Sequence, residues 1–325
     1  MAISFDWKVP PEIEPAPKDY EYDLGAALSA VVAIRTVVPA DAFTADILGT
    51  ERTGNGIIIR NDGVVLTIGY LVTEASEVWL TLANGRTVQG HVIGFDQETG
   101  FGLVQALGRI ELPALSLGDS GDAVPGMRVV SAGAGGREHS VAARVIARQE
   151  FAGYWEYLLD EAIFTAPAHP YWGGTALIGP EGTLLGVGSL QLEQAGEDGD
   201  GVPLNMYVPT DLLKPILDDM LTMGQPNRPP RPWLGLYATE VDNRVVIAGV
   251  AGKGPAARAK LKQGDVVLSV GGMKVSGLAG LFRKVWSMGK AGVDVPMTVY
   301  RDGRPMDLTV TSGDRNRFLK GPSLH

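Results

Sequence analysis

GNGIIIRNDGVVLTIGYLV, residues 54–72, decides the fold class of this chain: two apolar runs, 57–59 and 64–68, flank the turn Asn61-Asp62-Gly63. Asx-Gly steps supply the positive φ that tight hairpin turns need, so the stretch reads as a β-hairpin. The same grammar recurs in EVWLTLANGRTVQGHVIGF (77–95) and GGTALIGPEGTLLGVGSL (173–190). Many such hairpins between Leu24 and Met223, with few helical periods, mean a sandwich or a barrel. One helix is predicted at Thr210–Met223, with Leu212, Ile216, Met220 and Met223 on one face.

GQPNRPPRP (224–232) carries four prolines and reads as a semi-rigid linker. The pattern then restarts as a small α+β module: strands at 233–238, 244–250, 265–270, 293–301 and 305–311, with helices near 254–261 and 277–288. The expected organisation is an arm (1–22), a β domain (23–223), the linker, a second domain (233–313) and a frayed polar tail (314–325). The arm holds Phe5, Trp7, Tyr20 and Tyr22; it reads either as flexible or as docking by these aromatics onto a neighbouring subunit.

Composition bounds the chemistry. The 325 residues suit about two domains, and mean hydropathy is +0.08. A net charge of −9 argues against broad nucleic-acid or anionic-membrane binding. The absence of cysteine removes thiolate chemistry and disulfides. The first twenty residues lack a basic start and apolar core, so a cytoplasmic location is expected, with no membrane segment. No His/Asp/Glu spacing suggests a metal site, and no cofactor is expected.

Residues 54–72 align without a gap on the segment GSGVIISKDGYILTNNHVV of HtrA-type serine proteases. GFDQETGFGLVQAL (94–107), LPALSLGDSGDAVPGMRVVSAG (112–133) and HPYWGGTALIGPEGTLLGVG (169–188) resemble later segments of that family in order. RPWLGLYATEVDNRVVIAGVAGKGPAARAKLKQGDVVLSVGGMKV (231–275) resembles its PDZ domain. The resemblance implies a mostly β chain: a trypsin-like double six-stranded β-barrel followed by a small α+β PDZ domain, assembled as a homo-trimer.

It also places the catalytic positions. The family's histidine falls on Tyr70, its aspartate on Gly100, and its serine on Gly173, or on Trp172 if the paired glycines are aligned instead. The oxyanion-loop glycine falls on Tyr171. A phenol of ordinary pKa near 10 is a poor base at neutral pH, and glycine can neither orient a base nor attack a carbonyl. The expectation is a pseudoprotease without catalytic residues. The alternative is a serine endopeptidase with a relocated or partner-completed site.

In the PDZ-like module the resemblance implies that the Trp233-Leu234-Gly235-Leu236 loop receives a peptide's C-terminal carboxylate. The peptide then adds as a strand beside the helix bearing Leu278, Leu281 and Val285. Those apolar residues also suit the module's core.

Other candidates read more simply as structure. Ser120 sits in a GDSG string that lacks the following Gly-Pro and matches an inter-barrel segment. His169 precedes the altered loop and reads as a hydrogen-bonding residue before it reads as a base; His91, His139 and His325 carry no pattern. Thr175, Asp96 and Glu98 read as turn and hairpin residues. The predicted loop 190–205 carries Glu193, Glu197, Asp198 and Asp200 and would favour basic ligands if it faces the cleft. The predicted loop 148–164 carries Phe151, Tyr154, Trp155 and Tyr157, either packing the loop or forming a contact surface.

Overall fold

The computed structural model describes residues 7–195 and 201–321. By its contacts the chain divides into two units. One contains the residues up to 149, 161–227 and those from 320 onward; the other contains 150–160 and 228–319.

The first unit holds two closed barrels. In the first, β1 (Val31–Val37), β2 (Glu51–Ile58), β3 (Val64–Ile68), β4 (Glu77–Thr81), β5 (Thr87–Phe95) and β6 (Phe101–Ala106) close in the order β1-β2-β3-β6-β5-β4. The 54–72 stretch supplies most of β2 and all of β3, paired Ile57↔Leu66 and Ile58↔Val65 as the Asn-Asp-Gly turn dictates. Ile34, Ile57, Ile58, Leu66, Leu80 and Leu103 are each fully buried, with Ile57, Leu66 and Leu103 on one face of the barrel wall and Ile34, Ile58 and Leu80 on the other. Around it lie α1 (Leu24–Ser29), capped by the Asp23 carboxylate, the one-turn α2 (Ala45–Leu48), and α3 (Gly69–Val72) at the end of β3.

The second barrel joins β7 (Arg128–Ala132), β8 (Ser140–Gly153), β9 (Tyr157–Ala166), β10 (Ala176–Ile178), β11 (Leu184–Ala195) and β12 (Gly201–Pro209) in the order β10-β11-β12-β9-β8-β7. Two segments expected as loops are strands. Residues 190–195 pair with 201–206 as a continuation of the β11–β12 hairpin. Glu193 lies on β11; Glu197, Asp198 and Asp200 fall outside the described residues. Residues 148–153 and 157–164 likewise extend β8 and β9.

The helix predicted at Thr210–Met223 is broken into a 3₁₀ turn (Thr210–Leu212) and α4 (Leu217–Met223), ended by left-handed Gly224. Pro215 lies between them and lacks the N–H a continuous helix would need there. Ile216 and Met220 are buried as expected, but Leu212 and Met223 face solvent.

The arm docks on its own chain. Val9 is buried among Val129, Val141 and Ile163 of the second barrel, and its N–H donates to the Glu138 carbonyl at 2.8 Å. Phe5 lies outside the described residues.

In the second unit, β13 (Leu236–Val241), β14 (Arg244–Val250), β15 (Val266–Val270), β16 (Met273–Lys274), β17 (Asp294–Arg301) and β18 (Arg304–Thr311) form one antiparallel sheet running β13-β14-β15-β17-β18, with β16 on β15. The helices are α5 (Pro255–Arg258), started by Pro255, and α6 (Leu278–Ser287). Leu278, Leu281, Phe282 and Val285 of α6 pack onto Leu236, Ala238, Ile247 and Val299 of the sheet. Asp265, 1% exposed, pairs with Arg301 at 2.5 Å and ties the β15 turn to β17. Within the tail expected to fray, Asp314 caps a 3₁₀ turn (Arg315–Phe318), and Phe318 packs on Trp233 with ring centroids 4.8 Å apart. Beyond that turn, the Lys320 N–H donates to the Glu74 carboxylate at 2.9 Å in the first unit.

Candidate functional site

The first barrel's α3 and β5–β6 turn bring Tyr70 and Gly100 together with Gly173 of the second. The Gly69 N–H donates to the Gly100 carbonyl at 2.6 Å. A Cβ on Gly173 would lie 2.6 Å from the Tyr70 hydroxyl oxygen, closer than side-chain contacts come. Tyr70 is held from both ends. Its hydroxyl donates to the Ser189 carbonyl at 3.2 Å, and its own carbonyl accepts from the buried Arg52 guanidinium at 2.7 Å. Burial raises the phenol above its ordinary pKa, against a smaller opposite effect of a hydrogen bond with the Trp172 side chain. Tyr70 is therefore a neutral phenol filling the space where a residue-173 side chain would stand.

Gly100 has φ 85°, closing a turn in which its N–H donates to the Asp96 carbonyl at 2.8 Å. The Asp96 carboxylate accepts from the Thr99 N–H and hydroxyl, making it a turn-forming group. A side chain at 100 would be strained by the backbone before any chemistry is considered.

The loop before Gly173 is wired to structure. The Tyr171 N–H donates to His169 Nδ1 at 3.1 Å, and the Tyr171 and Gly173 carbonyls both accept from the Asn55 amide at 3.0 Å. A donor bonded to His169 is not presented to a substrate oxyanion. His169 is buried, its backbone N–H donates to Asn205 Oδ1 at 2.6 Å, and Nε2 lies 2.9 Å from the His139 carbonyl. Desolvation lowers its pKa to about 4, so the ring is neutral and bonds rather than transferring protons at neutral pH. Trp7 of the arm stacks edge-on against His169 and Tyr171, both at 5.2 Å. Thr175 donates to the Trp172 carbonyl at 2.9 Å. Asn55 was missed by sequence reasoning; its Oδ1 also accepts from the Ala134 N–H at 2.9 Å, so this one amide pins the loop on both sides. The only sequence signal was a polar residue between two glycines in a barrel strand.

Ser120 is fully buried, and its hydroxyl accepts from the Asp211 N–H at 3.0 Å. Ser131 is equally buried and hydrogen-bonded to the Tyr207 hydroxyl. Among the described residues, no group of three or more His, Asp or Glu side chains is placed to hold a metal, and no helix is long and apolar enough to cross a membrane.

In the second unit, Leu234, Gly235 and Leu236 aim their N–H groups at one point, and a carboxylate fills it. Glu156 accepts from Leu234 at 3.0 Å through Oε2, and from Gly235 and Leu236 at 2.7 and 3.0 Å through Oε1. Gly235 has φ 73°, the turn that points successive N–H groups the same way. Burial raises the Glu156 pKa to about 7, opposed by these three donors and the Arg315 charge. Trp233 stands beside the loop, bridged to Gly313, while Leu278, Leu281 and Val285 are buried in the core behind it. Glu156 was not among the sequence candidates.

Residues 54–187 match the trypsin-like peptidase domain model, and residues 232–311 match the PDZ domain model. A relative from Halomonas elongata, named a probable periplasmic serine endoprotease DegP-like, is 29% identical over 82% of this chain and 58% of its own length. Protease Do-like 1, chloroplastic, from Arabidopsis thaliana is 28% identical over 87% of this chain and 69% of its own. The chain spans little more than half the length of the bacterial DegP-like relatives it matches, 56–58%. The solved HtrA-type protease AlgW with decapeptide shares the fold, with a TM-score of 0.55 at 21% identity over 93% of this chain and all of that one. In domain order and relatives, this chain is similar to proteins of the HtrA/DegP type: a trypsin-like peptidase domain followed by a PDZ domain.

Proposed function

We propose that this chain is a proteolytically inactive HtrA-like protein that binds peptides or protein C-termini through its PDZ groove, in a chaperone- or scaffold-like role. One observation carries the binding half: three backbone N–H groups of the Leu234–Leu236 loop converge on a carboxylate. A peptide C-terminus presents that same group, and β13, at the edge of its sheet, carries the main-chain groups that would pair with the residues before it.

The inactive half rests on the cleft. Nucleophilic catalysis needs an activated hydroxyl, a base and an oriented oxyanion site together. At the positions the resemblance assigns to these roles stand glycine, a neutral phenol and an N–H already bonded to His169. The alternative of a relocated serine draws no support from Ser120 or Ser131, whose hydroxyls are buried and bonded.

The test is a pair of assays on one preparation. Casein digestion should stay at background, and a fluorescent heptapeptide ending in a free valine carboxylate should bind where its amidated form does not. Casein cleavage that persists through repeated purification would overturn the inactive half; equal binding of acid and amide would overturn the binding half.

A further inference from the structure

Glu156 lies in the turn between β8 and β9, in a segment that belongs to the second unit. Its φ is 61°, a left-handed conformation that a non-glycine residue adopts at a cost. Two residues earlier, the Tyr154 carbonyl accepts from the Ala238 N–H of edge strand β13 at 2.9 Å, and the Tyr154 and Tyr237 rings lie 6.1 Å apart. Leu158 is buried in the same apolar cluster as Leu278, Leu281 and Val285. Arg283 of α6 holds Glu150 at 2.5 Å on one side of the tip and pairs with Asp160 on the other.

These contacts reproduce how an extended peptide would occupy the groove: a carboxylate in the N–H cradle, a main-chain bond to the edge strand, an apolar side chain in the core and charges on the helix. The pairings of β8 with β7 and of β9 with β12, which join the hairpin to the rest of the barrel, lie well before the tip, at residues 140–144 and 163–165.

We infer that residues 150–160 are a built-in ligand of the groove, which an incoming carboxylate-ended peptide must displace. The inference rests on the peptide-binding reading above and adds its regulation. The groove is closed in the resting chain, and binding releases the hairpin tip. The occupant fits the site without being optimal for it: its backbone is strained, its carboxylate is buried, and it makes one strand-type bond where a longer peptide would make several. A ligand that must wait for an open minority state binds more weakly by that open fraction.

The experiment uses the full chain and three variants: Glu156→Ala, Glu156→Gln and Arg283→Ala. Glu156→Gln keeps the size but exchanges one acceptor oxygen for a donor. Arg283→Ala loosens the tip without touching the cradle. Hydrogen exchange reads the Leu234, Gly235 and Leu236 amides, and fluorescence anisotropy reads the valine-ended heptapeptide. We expect exchange at these amides to accelerate in both Glu156 variants, and the peptide to bind them at least tenfold more tightly than the parent. Arg283→Ala should gain a smaller factor. Unchanged exchange in Glu156→Ala would overturn the built-in ligand. So would faster exchange with a peptide affinity equal to the parent's. Faster exchange with no peptide binding in any variant would instead overturn the peptide-binding reading and leave the internal contact standing.

Discussion

Gly173→Ala isolates the collision at the centre of the cleft. The added Cβ would meet the Tyr70 hydroxyl oxygen at 2.6 Å, while the next ring atoms, Cζ and Cε2, lie at 3.6 and 3.9 Å, ordinary contact. Tyr70 cannot easily recede, because its hydroxyl is bonded to Ser189 and its carbonyl to Arg52. Overpacking of this kind costs about 1–3 kcal/mol. Residue 173 has no positive φ, so backbone strain adds nothing. Tyr70→Phe removes only the colliding atom and forfeits the hydroxyl's hydrogen bonds to Ser189 and with the Trp172 side chain, about 1 kcal/mol each. The double variant should therefore be more stable than the sum of the two single changes, by a coupling of about 1–2 kcal/mol. The assay is urea unfolding followed by hydrogen exchange in the barrel strands, because a two-unit chain does not unfold in one step. Additive effects, within about 0.5 kcal/mol, would refute the claim that Tyr70 occupies the residue-173 side-chain space.

Gly100→Asp should not rebuild an orienting carboxylate: at φ 85° it should destabilise the first barrel by about 1–2 kcal/mol, read in the same unfolding assay. Arg301→Ala should cost the second unit about 3–5 kcal/mol, since it leaves the Asp265 carboxylate buried without its cation. Burial alone would raise the Asp265 pKa, but the Arg301 bonds and the Lys262 N–H outweigh it and hold the group below its ordinary 3.8. Its contribution is thus present above that value and lost as pH falls through the lower folded value, so the parent's acid denaturation should steepen there and that of Arg301→Ala should not. Glu156 has the opposite sign. Docked, its pKa is about 7 against an ordinary 4.5, with Arg315, Tyr237 and Tyr154 as the charged or titratable groups around it. The docked tip binds more protons than the released one in that window, so docking strengthens as pH falls. Valine-ended peptide should bind about tenfold more weakly at pH 6 than at pH 8, and the dependence should vanish in Glu156→Gln.

What the sequence made legible was local. Gly-turned hairpins marked both barrels, and the long pattern from Val246 to Gly271 marked the PDZ module, because each rests on residues a few positions apart. The glycines and tyrosine in the cleft were legible as types, and the structure adds what they do: Gly100 serves a left-handed turn, and Gly173 makes room for Tyr70. Contacts across long separations were not legible. Glu156 reaches partners 78–80 residues away, and Asn55 bonds carbonyls 116 and 118 residues away. The Thr210–Met223 segment departs from its apolar spacing for a local reason: Pro215 interrupts the helix between Leu212 and Leu217. Of the aromatic residues near 155, Phe151 and Tyr157 lie on strands and Tyr154 and Trp155 in the turn between them, where Trp155 stacks on Tyr157 at 5.6 Å with Phe151 beside them.

The most direct test of the inactive cleft is intact-mass measurement after incubation with a fluorophosphonate, which marks any serine that a protein activates. The mass should stay unmodified under conditions that fully label an active HtrA-type protease. A stoichiometric adduct on any serine of this chain, lost when that serine is changed to alanine, would contradict it.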